Sequence, residues 1–545
     1  MNLKPPSLLA LSIAALLALP AHGQDEAFDI TRFDVRGNSL LAADQVQQIV
    51  APYAGPHRVY GDIQKALEAL ENAYKKAGYS SVLVYAPEQE LTGGVVRLQV
   101  TEAIVSKVNI AGNKHFSNEN VRASLPQLKE NQAPNARAIS ENVQLVNDNP
   151  AKQVEVTLAA GEEEGKVDAN IRVEEQNPQR VFVTVDNTGS GSSGHIRTGI
   201  AYQNANLLGG DEVLTAAYTT SPDAPSGVKV DIYSLAFRMP FYGLGDSLDL
   251  VYGDSSVNTP SAQATGFGLT GKGNVFSAHW NHYLPREGEF SSKLTYGFDW
   301  KFFNTRCSIG GVEQSTAPPS PPVPSCVPYT TRPLSLTYSG QWQGLAYSAD
   351  FNAGAAWNWA RGKDYTGVAA PIKGVQDKYS YISNRQVDDD FTILKGGGNY
   401  TTALGDWQLH AGLNGQWARN GLPAGEQLGL AGSTSVRGFS ERAVAADTGL
   451  VGNIEGFTPE VATTLGLPGS LRGLVFYDFA HGWNNGIAAP TPESVGISSW
   501  GIGLRYSYGK DIAFKADMGQ IIDRGPLVNV HDGSWRGHFN LSVGF

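Results

Sequence analysis

Two side chains carry the clearest chemistry in this sequence: a guanidinium in a glycine-rich segment and a carboxylate in an alternating one. Arg437 stands in Gly432-Ser433-Thr434-Ser435-Val436-Arg437-Gly438-Phe439, and Asp478 in Phe476-Tyr477-Asp478-Phe479-Ala480. Over 471–479, a two-residue rhythm puts Val475, Tyr477 and Phe479 on one face and Arg472, Phe476 and Asp478 on the other. A guanidinium can hold such a carboxylate in a forked, charge-assisted pair, which a lysine cannot copy. Breaking a buried pair costs about 3–5 kcal/mol, and a wet surrounding is expected to lower that figure. Gly438 permits the sharp backbone of a loop tip. The bland alternative is an ordinary surface arginine in a glycine-rich loop. Either way the chemistry is positioning rather than catalysis.

No enzyme site stands out. The ten histidines are scattered, with no HExxH and no nucleophile–base constellation. The run Gly189-Ser190-Gly191-Ser192-Ser193-Gly194 spells GxGxxG, and 266–272 nearly spells a phosphate-binding loop, with Gly273 where Ser or Thr belongs. Neither has the strand-to-helix setting that phosphate binding needs, so both are expected to be turns. No cofactor or metal is expected.

The elements that position these residues follow from composition and rhythm. The chain has 545 residues and a net charge of -11, which argues against a nucleic-acid footprint. Charged residues make up 17%, below the roughly 25% usual in soluble domains, while glycine (62) and aromatics (10%) run high. That balance suits a chain that faces lipid and turns often. Lys4, an apolar run over 8–19 and Ala21-His22-Gly23 read as an export signal over 1–23, with the mature chain starting near Gln24. The run is too short to span a membrane as a helix; a buried N-terminal helix is the alternative. No later stretch reaches 18 consecutive apolar residues, which leaves a soluble exported protein or a closed barrel. In an exported chain, Cys307 and Cys326, flanking a proline-rich segment, are expected to form a disulfide.

Residues 24–102 and 103–177 read as two small α/β domains. A strand over 28–35 ends at Gly37-Asn38, two helices follow, and Ile63, Leu67, Leu70 and Tyr74 share one helical face before Gly78. Strands over 81–86 and 94–100 complete the first. The order then restarts: a strand over 105–111 ends at Gly112-Asn113, helices cover 118–124 and 136–145, and strands cover 154–159 and 167–174. A small sheet with an open edge can accept an extended peptide as an extra strand.

From about Arg180 the period is two. Phe290, Leu294, Tyr296, Phe298, Trp300 and Phe302 oppose Ser291, Lys293, Thr295, Gly297, Asp299 and Lys301, and Trp500, Ile502, Leu504 and Tyr506 oppose Gly501, Gly503, Arg505 and Ser507. Segments of about ten residues, with aromatics towards their ends, match strands tilted across a bilayer with a polar interior. A soluble sandwich or propeller is the alternative. The last such segment ends the sequence, with Trp535, Gly537, Phe539, Leu541, Val543 and Phe545 on one face.

Several tracts resemble one family. Phe116-Ser117-Asn118-Glu119-Asn120-Val121-Arg122-Ala123-Ser124-Leu125-Pro126, Asn147-Asp148-Asn149-Pro150 and Tyr74-Lys75-Lys76-Ala77-Gly78-Tyr79 resemble polypeptide-transport-associated (POTRA) domains. Val436-Arg437-Gly438-Phe439 resembles the loop motif of the POTRA-barrel superfamily, and Phe476-Tyr477-Asp478-Phe479 its Phe-x-Asp-x-Gly partner strand, except that Ala480 replaces the final Gly. In order and extent the chain is similar to the two-partner secretion transporters of the haemolysin-activation group (TpsB type). That resemblance implies a barrel of about sixteen antiparallel strands over 178–545, with a loop folded into the lumen and tipped by Arg437, and Phe545 as a terminal barrel-sorting signal. It also implies partners: outer-membrane lipid, the barrel-assembly machinery, and a large exoprotein with an N-terminal secretion domain that the pore exports from periplasm to cell surface. A barrel-assembly factor of the same superfamily is the alternative. Some members begin with a pore-plugging helix. The few residues between Gln24 and the first strand leave no room for one, so any plug is expected to be the loop.

Overall fold

The computed structural model describes residues 27–257, 272–304, 308–309, 312–313, 328–359, 387, 389–486 and 492–545. The export signal, the Cys307–Cys326 pair and the near-phosphate loop before Lys272 lie outside the described residues. The chain divides into two compact units, one holding the first α/β domain and the other holding the second together with the barrel.

In the first unit, helix Tyr60–Lys76 buries Ile63, Leu67, Leu70 and Tyr74 on a three-stranded sheet. The helix stops where Gly78 turns to φ +98° and Tyr79 N–H reaches back to Tyr74 O at 2.9 Å. The single strand expected over 28–35 is two strands. Phe28–Ile30 pairs antiparallel with Gly55–Arg58, whereas Arg32–Arg36 pairs parallel with Val95–Glu102. The break falls at Thr31, whose N–H bonds Gly94 O at 2.7 Å and whose hydroxyl bonds Gly93 O at 2.6 Å. The apolar rhythm slips by one residue at Thr31-Arg32, from Phe28 and Ile30 to Phe33 and Val35, and the change of partner falls at that slip.

The second domain repeats the physics of the first. Its sheet runs Ile104–Ala111, Lys166–Glu175, Lys152–Ala160 in spatial order. Helix Asn118–Ser124 is capped by Ser117 and helix Ala136–Asn147 by Asn135. Gly37 (φ +81°) and Gly112 (φ +96°) each end a first strand where an added Cβ would lie 2.2 Å from a carbonyl oxygen of the last strand, Val100 and Val173 respectively. Asn38 and Asn113 each donate to the carbonyl three residues on. Glu102 then accepts from the N–H groups of Ser39 and Leu40, and Glu175 from those of Lys114, His115 and Phe116. The Gly-Asn echo in the sequence is thus one turn built twice.

From Gln179 to Gly544, sixteen antiparallel strands close into a barrel, the tracts Tyr329–Thr331 and Pro333–Gln343 counting as one strand interrupted at Arg332. Large apolar side chains are exposed on its outside, among them Ile200, Leu235, Tyr296, Val475, Tyr477, Trp500 and Ile502. Their sequence neighbours Phe476 and Asp478 point inward and are buried. A sheet with an apolar exterior and no free edge suits a bilayer. Among the described residues no helix is long and apolar enough to cross one. The closing ladder is short: the last strand meets the first over Asn540–Gly544 against Asp186–Phe182. Phe545 extends it through Val181, and the Asn187 amide takes the place of a strand beside Phe539 N–H and Gly537 O.

The GxGxxG run lies in the first hairpin, where Gly189 N–H bonds His195 O and Ser193 N–H bonds Ser190 O, both at 3.0 Å. It is a turn with no helix after it.

Candidate lumen-loop site

Neighbouring strands alternate in direction, so strand Trp407–Ala418 leaves the ring at the rim opposite the second domain. The loop over 419–447 starts there and folds back into the lumen. Its stem is a short antiparallel pair, Leu428–Gly429 with Ala445–Ala446. Near the tip, Gly432 N–H bonds Val436 O at 3.1 Å, and the Glu441 carboxylate holds Ser433 N–H at 2.7 Å. Gly432 sits at φ +136° with Glu441 Oε2 2.3 Å from any added Cβ, so a side chain there would strain the backbone and displace that carboxylate.

Arg437 is the centre of the site. Its Nε and Nη2 each lie 2.7 Å from a different oxygen of Asp478, and its own N–H adds a third bond to that carboxylate at 3.1 Å. Nη1 lies 2.7 Å from Glu455 and 3.4 Å from Asp517. The guanidinium also stacks on Phe476, with Cζ 3.5 Å from the ring centroid. Side-chain exposure is 5% for Arg437 and 0% for Asp478. The pair is therefore shielded rather than bathed in lumen water, and the cost of removing one partner approaches the full 3–5 kcal/mol typical of buried pairs. Arg505 binds Asp517 through both amino groups at 2.8 and 3.0 Å, giving a network of two cations and three carboxylates across four strands.

The backbone of the tip is gripped as well. Gly438 N–H donates to His538 Nε2 at 3.1 Å, which fixes that ring nitrogen as the acceptor. On the wall opposite the tip stands Gly519, whose hypothetical Cβ would lie 2.9 Å from Gly438 N and 3.1 Å from Arg437 C. Val436 and Phe439 flank the arginine and are buried in one apolar cluster with Leu430, Val444, Val495 and Ile521. Ala480 belongs to that cluster, so its methyl packs where the resembled motif has glycine.

The far end of the loop is held elsewhere. Glu426 accepts from Lys301 at 3.1 Å and from Thr331 at 2.6 Å, on two strands across the lumen from Asp478. Asp447 accepts from Leu422 N–H, Gln427 and Asn485 N–H. The loop thus spans the lumen from wall to wall. A polar cavity of about 740 Å³ remains beside its tip, edged by Ser433, Arg437, His410, Glu455, Arg505 and Lys515.

The structure brings Val436, Arg437, Gly438, Phe439, Phe476 and Asp478 together. It places Phe545 apart, at the barrel seam, where the residue is 74% exposed. Sequence reading missed Glu455, Asp517, Arg505, His538 and Gly519. Each stands at an inward position of its strand, and inward polar residues are ordinary in a wet barrel, so the one available signal was their face.

Comparison with known proteins accords with the fold. Residues 165–506 match the family of haemolysin secretion/activation proteins ShlB/FhaC/HecB, and residues 28–103 match the ShlB-type POTRA domain. The chain is 24% identical over 443 residues to the outer membrane transporter CdiB of Dickeya dadantii, covering 78% of this chain and 71% of that protein. It is 20% identical over 509 residues to the heme/hemopexin transporter protein HuxB of Haemophilus influenzae, covering 91% and 84%. Among solved structures it resembles CdiB from Escherichia coli, with a TM-score of 0.76 at 17% identity over 97% of this chain and 92% of that one. It resembles CdiB from Acinetobacter baumannii with a TM-score of 0.70 at 16% identity over 95% and 90%.

Proposed function

The chain belongs to the haemolysin secretion/activation family ShlB/FhaC/HecB, an outer-membrane family of two-partner secretion transporters, and from that premise we propose that it exports one large exoprotein of the haemolysin, adhesin or haem-scavenging type. On this reading the pore takes its client unfolded from the periplasm, recognises an N-terminal secretion domain, and releases it to fold outside. No nucleotide is available in that compartment, so client folding is the drive.

The single observation that carries the reading is the Arg437 grip. A loop tip bound by a discrete set of ionic and stacking contacts, inside an otherwise continuous barrel, is an obstruction with two definable states. A barrel meant for passive diffusion has no use for it. Capture is supported by the second domain. Its edge strand Ile104–Ala111 is engaged by the backbone of Asn131 and Gln132 at Val105, whereas on Lys152–Ala160 the Asn147 amide occupies the edge groups of Val154 and stops there. Beside that edge runs a groove of about 510 Å³ with Ile139, Val143, Val156 and Leu158 along it, suited to an added strand with alternate apolar side chains. The exposed apolar exterior supports outer-membrane lipid as a second partner, and the exposed terminal Phe545 supports recognition by the barrel-assembly machinery.

The test is Arg437→Ala in cells that also make a candidate exoprotein client. The barrel is expected to stay membrane-inserted and heat-stable while export of the client is lost. Wild-type export by that variant removes the loop from the mechanism.

A further inference from the structure

The tract Asn147-Asp148-Asn149-Pro150-Ala151-Lys152 follows helix Ala136–Asn147 and opens strand Lys152–Ala160, and the export reading gives it no task. Its polar side chains nevertheless leave their own domain. Lys152 Nζ lies 2.5 Å from Asp211 in the barrel's turn over 205–212, and both side chains are 0% exposed. Asp211 also accepts from Asn120 at 2.9 Å and from Tyr242 OH at 2.5 Å. Asn120 in turn accepts from Lys152 at 2.8 Å, so Lys152 and Asn120 of the second domain both meet Asp211 of the barrel, and Tyr242 supports Asp211 from the barrel side. Asn149 donates to Ala205 O at 2.7 Å, and Asp148 takes the Tyr283 hydroxyl and lies 3.5 Å from Arg238. Asp211 itself sits at φ +70°, held there by its N–H to Asn206. A non-glycine residue in that region marks a position fixed by its surroundings.

We infer that this tract is a docking segment that bolts the second α/β domain to the barrel rim, and that the Lys152–Asp211 pair is the bolt. A buried lysine and a buried aspartate tolerate each other's presence far better than each other's absence, because either one alone is a desolvated charge. Two surfaces that meet through such a node separate only by exposing it. The second domain therefore moves with the barrel as one body, and its open edge keeps a constant distance from the rim.

The charges can be removed one at a time or together. In full-length protein in lipid nanodiscs, Lys152→Met or Asp211→Asn is expected to raise amide hydrogen exchange over 142–151 and 205–212 by at least about tenfold, with the barrel strands still protected. The double variant leaves no lone buried charge and is expected to exchange more slowly than either single. Tyr242→Phe, which keeps both charges, is expected to fall between wild type and the singles. Unchanged exchange in the singles, or a double variant worse than both, overturns the bolt. A second measurement, client export by the same variants, rests on the export reading and is expected to follow the same order. Exchange that follows the order without export following it keeps the bolt and removes its bearing on transport. Absence of export from wild type as well counts against the export reading alone.

Discussion

The guanidinium of Arg437 lies face-on over the ring of Phe476, 3.5 Å from its centroid, while its edge grips Asp478 two residues further along the same strand. One inward face of one strand thus supplies both a flat seat and a forked anion. Lysine can satisfy neither demand, since its ammonium is compact and carries no plane to stack.

Arg437→Lys is accordingly expected to behave much more like alanine than like arginine. It keeps the charge yet forfeits the two-oxygen grip, at a cost of about 1.5–3 kcal/mol for the lost charged hydrogen bonds. Single-channel recording in planar bilayers checks this: the lysine variant is expected to show more frequent and longer open events than wild type. Recordings indistinguishable from wild type contradict the need for the fork.

Gly519 offers a way to dislodge the tip without touching its ion pairs. Valine there would press on the backbone at Gly438 and Arg437, neither of which can yield as a side-chain end would. Overpacking of that kind costs about 1–3 kcal/mol. Because Gly519 is held by ladders on both sides, the strain falls on the loop. Protease added to intact cells is expected to cut within 419–447 in Gly519→Val and not in wild type, with heat-modifiability unchanged; an uncut loop refutes the close approach.

The first domain is expected to be acid-sensitive through Glu102. Burial alone pushes this carboxyl up, but hydrogen bonds from the Ser39 side chain and N–H, from Leu40 N–H and from the Tyr74 hydroxyl outweigh it and hold it below the usual glutamate value. A depressed folded value means stability that is complete above the unfolded value, about 4.3, and is lost as pH falls through the folded one. Amide-exchange protection over 28–102 in the full-length protein, taken relative to the intrinsic rate at each pH, is expected to fall between pH 5 and pH 3, roughly the window this linkage defines. Glu102→Gln is expected to flatten that response and to be less stable at pH 7. An equal response in wild type and variant assigns the acid sensitivity elsewhere.

Much of this architecture is legible in the sequence, because period-two alternation is a local property that lipid and lumen impose on every strand. The run containing Val475, Phe476, Tyr477 and Asp478 shows its two faces in the sequence itself, and the Gly37-Asn38 and Gly112-Asn113 echoes announce a repeated turn. What stays hidden is long-range choice. Lys152 and Asp211 are 59 positions apart and each looks like an ordinary surface charge, yet they meet in full burial. Phe28 to Val35 passes for a single strand although two polar residues in a row, Thr31 and Arg32, mark the place where the partner changes. Arg505 and Asp517 likewise carry no mark that separates them from other inward polar residues.

The loop's two attachments differ in kind, and that difference sets how it can move. Near its root, the loop's last residue, Asp447, is tied to Gln427 and Asn485, and Glu426 reaches Thr331 and Lys301 on strands three and four away from Trp407–Ala418; at its tip, Arg437 grips Glu455 on the strand the loop runs into and Asp478 on that strand's neighbour. When the tip lets go, the contacts of Glu426 and Asp447 still hold both ends of the segment, so it stays tethered beside the wall it has left. It swings rather than drifts, and the latch never sees less than the high local concentration that a short tether enforces. Re-latching therefore needs neither search nor helper.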